Sequence, residues 1–409
     1  MNLESLKTLD DVDVAGQRVL LRADLNVPMA DGKVSDTTRL ERIRPTLNVL
    51  ASRGARIVII SHFGRPKGEA RLDMSLAPVA AALGEVLARI PVRFASDCIG
   101  EEAASAINEL SDGQAIVLEN LRFHAGEEAN DPEFARALSK LGDVYVNDAF
   151  SVAHRAHASI EALAHLLPAY AGPLMMGEIE ALRSVLDHPE KPVAAVIGGA
   201  KVSSKIPVLT NLLAKVDVLI IGGGMANTFL YAGGMDVGKS LCEPDFVETV
   251  KQIAAEAGAQ NCEILLPSDV VVAEDFRQGA RWEILSVGGV PENGMILDVG
   301  PETIAELTKK VADCKTLLWN GPLGAFEIAP FGEGTFALAR AAAERTKAGS
   351  LVTVAGGGDT VAALNAAGVT KDFSYVSMAG GAFLEWLEGR DLPGIAALSP
   401  PEAESAVAG

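Results

Sequence analysis

Nine short runs rich in β-branched and aliphatic residues recur along the chain, and helical spacing fills most of the sequence between them. The first half carries RVLLRADLN (18–26), RIVIISH (56–62), AIVLEN (115–120) and DVYVND (143–148). The second half carries PVAAVIGG (192–199), DVLIIGGG (217–224), TLLWNGP (316–322), LVTVAGGG (351–358) and FSYVSMAGG (373–381). Runs that are continuously apolar rather than alternating predict strands covered on both faces, and therefore parallel sheets. Right-handed crossovers through the intervening helices then give an α/β protein of two doubly wound, Rossmann-like domains. A chain of 409 residues is longer than one core usually serves, which agrees with two domains of about 200 residues each. TTRLERIRPTLNVLASRG predicts one helix closed by Gly54. MMGEIEALRSVLDHPEKP (175–192) predicts an amphipathic hinge helix and a proline-bracketed turn, the joint between the domains.

The formal charge of -19 argues against nucleic acid or an anionic membrane as the main partner. It leaves room for a local cationic site, and the distribution favours one: 15 of the 20 arginines and all 6 histidines lie in residues 1–190. Cys98, Cys242, Cys262 and Cys314 stand apart with no CxxC spacing, as reduced thiols in a cytoplasmic protein do. The first residues, MNLESLKTLDDVD, lack the apolar core of a signal peptide. The longest uncharged run, 218–235, is broken by glycines, Asn227 and Thr228, so no membrane span is expected.

In open α/β sheets, ligands bind beyond the carboxyl ends of the strands. In the first half those positions hold Asp24 and Asn26, then His62, Gly64 and Arg65, then Arg122, then His154 and Arg155, with Arg39 opening the first helix. Guanidinium forks match phosphate and carboxylate, so a small, multiply anionic ligand is expected there. The second-half strands end in glycine: IGGAKVSSK, IGGGMA, WNGPLGAFE and AGGGDT. Glycine lets backbone amides approach a phosphate at a helix start. Lys201 and Lys205, four apart, are expected on one face of a helix's first turns. Asp359 is expected to bind Mg2+ otherwise held by phosphate oxygens, and Glu327 to meet a ribose hydroxyl. A small polyanion on one domain and a magnesium nucleotide on the other suit phosphoryl transfer, with domain closure to exclude water.

GGMDVGKS (233–240) matches the phosphate-loop pattern, and the rival reading is a phosphate-loop NTPase using Gly233–Ser240. That pattern needs a strand before it and a helix after it. Here the helical MANTFLYA precedes it and LCEPDF, with Pro244, follows, so a loop leaving a helix is expected.

RADLNVP, SHFGRP, ENLRFH, NDAF…AHRAH, GGAKVSSK, GGGMANTF, WNGPLGAFE and AGGGDT, in this order, resemble phosphoglycerate kinase from residue 18 to about 399. The resemblance implies reversible, Mg2+-dependent phosphoryl transfer between ATP and 3-phosphoglycerate, forming ADP and 1,3-bisphosphoglycerate, by a hinge-bending monomer. It implies a triose domain over 1–174, a joint over 175–191 and a nucleotide domain over 192–377. Residues 378–399 would return to the first domain, and 400–409 would form a flexible tail. By position, the triose site would be Asp24, Leu25, Asn26, Arg39, His62, Phe63, Gly64, Arg65, Arg122 and Arg155. The nucleotide site would be Gly199, Ala200, Lys201, Lys205, Gly223, Gly224, Asn320, Pro322, Glu327, Gly356, Gly357, Gly358, Asp359 and Thr360. Arg39, Lys205, Gly357 and Gly380 would act on the phosphoryl group in flight. The acceptor is a carboxylate, already ionised at neutral pH, so no general base is needed. Two departures stand out: Met378 and Ala379 replace threonine and glycine, and Ser151 and Val152 replace glycine and threonine.

Overall fold

A computed structural model describes residues 3–399 and separates the chain into two compact units. Among the described residues, the first comprises 3–179 with 391–399, and the second Glu180–Arg390. The tail expected over 400–409 lies outside the described residues.

The first unit contains β1 (Arg18–Arg22), the hairpin β2 (Met29–Ala30) and β3 (Lys33–Val34), β4 (Arg56–Ile60), β5 (Val92–Ala95), β6 (Ala115–Leu118), β7 (Val144–Asn147) and β8 (Ala169–Ala171). All but the hairpin form one parallel sheet in the order β5-β6-β4-β1-β7-β8. Every residue of β6 and β7 is buried, as the continuous apolar runs require. Leu40, Ile43, Leu47 and Leu50 of the helix Thr38–Ser52 cover one face of this sheet together with Leu76, Val79 and Leu83. That helix ends before Gly54, whose φ of 75° is the left-handed stop that glycine allows.

The second unit contains β9 (Val193–Ile197), β10 (Val218–Ile221), β11 (Glu263–Leu265), β12 (Asp269–Ala273), β13 (Trp282–Ser286), β14 (Met295–Val299), β15 (Thr316–Asn320), β16 (Val352–Gly356) and β17 (Tyr375–Ser377). Its parallel sheet runs β11-β10-β9-β15-β16-β17, the Rossmann order in which the direction of winding reverses between β9 and β15. A separate antiparallel sheet, β13-β12-β14, is inserted after β11.

The helix Pro173–Leu186 passes from one unit into the other. Asp148 fixes its start: one carboxylate oxygen accepts from Met175 N at 3.0 Å and the other from Thr46 Oγ1 at 2.6 Å. The return to the first unit begins at Asp391, not at residue 378. Residues 378–390 stay with the second unit because the helix Gly380–Leu387 buries Ala382, Phe383 and Trp386 there, and Asn211 Nδ2 donates to Leu387 O at 2.8 Å. From Asp391 onward the chain is tied to the first unit by Gly394 N, which donates to Ala153 O at 2.8 Å.

Candidate functional site

In the first unit, β1 ends at Arg22, so Asp24–Asn26 form the loop beyond its carboxyl end. Asp24 is the hub of that loop. It accepts from Arg39 Nη1 at 3.0 Å, from Asn26 N at 3.1 Å and from Ser151 Oγ at 2.6 Å. Ser151, one of the departures from the family pattern, thus adds a hydrogen bond to the carboxylate that holds Arg39. Asn26 reaches the next loop, where its Oδ1 accepts from Gly64 N at 3.0 Å, and Leu25 is buried with its amide on Ser61 Oγ. Asn120 ties down the third loop: its Oδ1 accepts from Phe63 N and Arg122 N, and its Nδ2 donates to Phe63 O and Met74 O.

His62 is 5% exposed and its Nδ1 lies 3.1 Å from Arg22 Nη2. A guanidinium can only donate, so Nδ1 is the acceptor and the ring is neutral with its hydrogen on Nε2. Burial pushes the His62 pKa well down, and the charges of Arg22, Arg122, Arg155 and Arg39 push the same way. Those four guanidinium groups therefore act on one spot. Arg122 is 3% exposed, donates through Nη1 to Gly64 O at 2.7 Å and lies 3.3 Å from Glu128. The Arg155 Nε is buried without a partner, as a donor that waits for an acceptor would be, and the buried His154 Nδ1 also has none. Arg65 is exposed.

Sequence reasoning missed the layer beneath. Arg22, 1% exposed, donates to Ser159 Oγ at 3.0 Å and Ala23 O at 2.5 Å and lies in the field of Glu127. Glu127, fully buried, accepts from Ser159 N at 2.9 Å and Ser159 Oγ at 2.7 Å. The available signal was the arginine that ends an otherwise apolar strand in RVLLR.

In the second unit the glycine loops meet at the point where winding reverses. Gly198 N donates to Asn320 O at 2.9 Å and Gly223 N to Leu323 O at 2.8 Å. Gly223 has φ of 66°, and a Cβ there would stand 2.7 Å from Gly199 O. Gly223→Ala is therefore expected to raise the KM for nucleotide by at least tenfold, since the Gly199 and Gly223 loops must part. Steady-state kinetics checks this; an unchanged KM would show that the contact is not needed. Gly356 is required by the Phe383 ring, 2.7 Å from where its Cβ would lie, and Gly357 by its φ of 98°. A Cβ at Gly380 would meet nothing within 4 Å. The helices starting at Gly223, Gly358 and Gly380 have no side-chain cap. In the first of them Gly223 N and Met225 N are taken up by Leu323 O and Gly199 O, so the uncapped starts at Gly358 and Gly380 are the ones left to meet an anion. At Ala379 only the backbone engages Ser377 Oγ, at 3.1 Å.

Lys201 and Lys205 do not share a helical face, contrary to the sequence expectation. Val202–Ser204 is a single 3-10 turn, and Lys205 stands at the entrance of the helix Ile206–Leu213, where Pro207 marks the first turn. Lys201 is exposed, whereas the Lys205 ammonium donates to Asn320 Oδ1. Burial lowers the Lys205 pKa to about 8, opposed by Asp359 and Glu388. Asn320 Nδ2 in turn donates to Gly356 O at 2.7 Å, and Thr360 Oγ1 accepts from Gly321 N at 2.7 Å.

A cavity of about 380 Å3 adjoins these loops, lined by Gly199, Ala200, Gly223, Gly224, Pro322, Glu327 and Asp359 among the expected residues. Its apolar walls are Leu241, Phe276, Met295, Ile296 and Leu297, none of them expected. Met295–Leu297 belong to β14 of the inserted sheet, which no motif announces.

GGMDVGKS follows the helix Gly223–Ala232 and enters a loop, so it lacks the strand-to-helix setting of a phosphate loop. Yet Lys239 and Ser240 line the same cavity. Lys239 N donates to Gly294 O at 2.8 Å, and Ser240 Oγ accepts from Ile296 N at 2.8 Å. The segment is a strap on β14. Lys239→Ala is expected to change the nucleotide KM by less than about tenfold, because a surface charge contact amounts to roughly 1 kcal/mol or less. Complete loss of nucleotide binding would restore the phosphate-loop reading.

Two doubly wound sheets, one with converging guanidinium groups and one with glycine-lined helix starts, place the chain among two-domain α/β phosphotransferases. The family model for phosphoglycerate kinase matches residues 9–390. The chain belongs to the phosphoglycerate kinase family. It is 60% identical over 397 residues to a phosphoglycerate kinase of Methylorubrum extorquens, covering 97% of this chain and 99% of that one. It is 60% identical over 392 residues to that of Rhizobium meliloti, covering 96% and 98%. Among solved structures, phosphoglycerate kinase from Coxiella burnetii is similar with TM-score 0.89 and 43% identity, covering 96% of this chain and 98% of that one. The enzyme from Pyrococcus horikoshii is similar with TM-score 0.81 and 32% identity over the same shares.

Proposed function

We infer that the chain transfers a phosphoryl group reversibly between ATP and the carboxylate of 3-phosphoglycerate. The observation that supports this most is the set of cations around His62: Arg22, Arg39, Arg122 and Arg155 all act on it, and Arg155 keeps a buried, unpartnered Nε. Such a set suits a ligand carrying both a phosphate and a carboxylate. Asp24, Asn26, Arg39, His62, Arg65, Arg122 and Arg155 would hold that triose, with His62 Nε2–H as a neutral donor. The glycine loops, Glu327 and the apolar cavity wall would hold ADP or ATP.

The donor set at the nucleotide fits magnesium held chiefly by phosphate. Asp359 is exposed, lines the cavity and is the one carboxylate of the AGGGDT loop. Among the described residues the only group of three clustered metal donors lies in the first unit and does not include Asp359. Magnesium, when bound, neutralises charge on the nucleotide phosphates. The chain's own part is to position. Lys205, held by Asn320, and Arg39, held by Asp24, would stabilise charge on the transferring oxygens, and the amides at Gly357 and Gly380 would add to this. Because the triose set and the nucleotide set lie on different units, hinge motion about the helix Pro173–Leu186 is part of the proposal. So are a monomeric state and a cytoplasmic setting. No helix among the described residues is long and apolar enough to cross a membrane.

The test is ADP release from Mg-ATP with and without 3-phosphoglycerate, coupled to detection of the acyl phosphate. Release that depends on the triose and yields 1,3-bisphosphoglycerate is expected. Release indifferent to the triose, or none, would refute the reading.

A further inference from the structure

Outside both ligand sets, Asp97, Cys98 and His124 bring a carboxylate oxygen, a thiol sulfur and an imidazole nitrogen within 4.8 Å of one another. His124 Nε2 lies 2.8 Å from Asp97 Oδ1, and the same oxygen accepts from Cys98 N at 2.7 Å. The His124 ring is stacked on Phe134, with centroids 5.3 Å apart and planes 28° from parallel. Two of the three donors are thus already fixed. The thiol lies at the back, fully buried, while the His124 and Asp97 side chains are 31% and 39% exposed, so a cation can enter from solvent on their side. Burial first, and then the negative charges of Asp97, Glu127 and Glu119, push the Cys98 thiol well up, so it is protonated until a cation enters.

We propose that Asp97, Cys98 and His124 form a binding site for a borderline-soft divalent cation of the zinc class, distinct from the magnesium that accompanies the nucleotide. The donor chemistry selects the cation. Thiolate with imidazole favours Zn2+ and its neighbours, whereas Mg2+ demands oxygen ligands. Tetrahedral zinc places its ligands roughly 3.3–3.8 Å from one another, so side-chain rotations of about an ångström complete the geometry, with water as fourth ligand. On binding, Cys98 Sγ loses its proton to solvent as the sulfur–metal bond forms. The His124 ring coordinates through Nε2 and carries its hydrogen on Nδ1. The metal takes the place of the hydrogen now shared with Asp97. No oxidation or reduction is involved.

The site also has a place in the fold. His124 begins the helix Ala125–Glu128, which supplies Glu127 to Arg22 and Glu128 to Arg122. It lies two residues beyond Arg122 itself. A bound cation would therefore brace the segment that supports the triose arginines.

The test is titration of the full-length protein with CoCl2 alone, followed by absorbance, then displacement with ZnCl2. One equivalent of Co2+ with a thiolate-to-cobalt charge-transfer band is expected, lost in Cys98→Ser. Removal of even an outer partner costs about 10–100-fold in metal affinity, so His124→Ala is expected to weaken Co2+ binding by more than tenfold. Because Cys98 is buried, Asp97→Asn serves as the variant at a more exposed position, with the same loss expected at an unchanged thermal unfolding midpoint. Absence of the band in the unaltered protein overturns the proposal. So does a band that persists in Cys98→Ser, which would come from Cys242, Cys262 or Cys314, or Co2+ affinity unaffected by His124→Ala.

Discussion

Lys205→Ala is expected to lower kcat by about 10²–10³, while the KM for nucleotide changes only a few-fold. Removing one preorganised group that stabilises transition-state charge costs that much, roughly 2.7–4 kcal/mol. The ammonium is set up for this by its hydrogen bond to Asn320 Oδ1, which aims it, and by burial, which strips away water. Burial also brings its pKa down to about 8, so the charge is present below pH 8 and is lost as the pH rises through that value. The kcat/KM profile, which reports the free enzyme, should therefore fall on the alkaline side near pH 8. A bound nucleotide adds negative charge and moves the corresponding limb of kcat upward. Lys205→Arg, charged at every pH of interest, should remove the limb even where it lowers the rate. A flat kcat/KM between pH 7 and 9, or equal losses in kcat and nucleotide affinity for the alanine variant, would remove Lys205 from the proposed role. Arg39→Ala should behave alike in kcat without moving the alkaline limb.

Arg22→Leu is expected to destabilise the first unit by about 3–5 kcal/mol, the range for removing one of two buried charges that compensate each other. Burial opposes the charge on both members: it is the largest influence lowering the Arg22 pKa and the largest raising that of Glu127. Each is tolerated because the other is there, with Ser159 joining them. Leucine leaves Glu127 fully buried without the larger of the two cationic influences on it, Arg22, and with only Arg122 remaining. At roughly 2–4 °C per kcal/mol for a unit of this size, the first unfolding transition should drop by about 6–20 °C. Calorimetry resolves this, since the second unit carries its own core and should unfold as before. Two further consequences separate a role in the site from a role in stability alone. His62 loses the donor to its Nδ1, so the NMR shift of that ring nitrogen should change. The KM for 3-phosphoglycerate should also rise at temperatures where the variant is folded. A variant as stable as the parent would show that Glu127 protonates freely and that the pair is not needed.

Much of the candidate site is legible in the sequence because it lies in segments whose chemistry is local. Asp24–Asn26, His62–Arg65, Arg122 and Arg155 follow strands that announce themselves by continuous apolar runs. A rule of the fold, that loops at carboxyl ends carry function, does the rest. The same holds for the glycines at 198–199, 222–224 and 356–358, where glycine at a strand's end means backbone contact. What the sequence hides is whatever depends on a distant partner. Lys201 and Lys205 read as one helical face, but the helix starts only at Ile206, with Pro207 in its first turn, and a 3-10 turn separates it from Lys201. GGMDVGKS reads as unrelated to the nucleotide because it is no phosphate loop, yet pairing with β14 brings Lys239 and Ser240 to the cavity.

The sequence by itself therefore determined the two parallel sheets, their helical crossovers and the loops at their carboxyl ends, since periodicity and glycine placement act within a few residues. Only the tertiary structure decided the edge strands β5, β8 and β11, whose three or four residues carry no period of their own. It also decided the antiparallel sheet that walls the cavity, the burial of Arg22 and Glu127 about Ser159, and the helix Gly380–Leu387 staying with the second unit. Each of these is fixed by burial and hydrogen bonding between segments far apart in sequence, such as Arg22 with Ser159 or Asn211 with Leu387, and no local pattern encodes such a meeting.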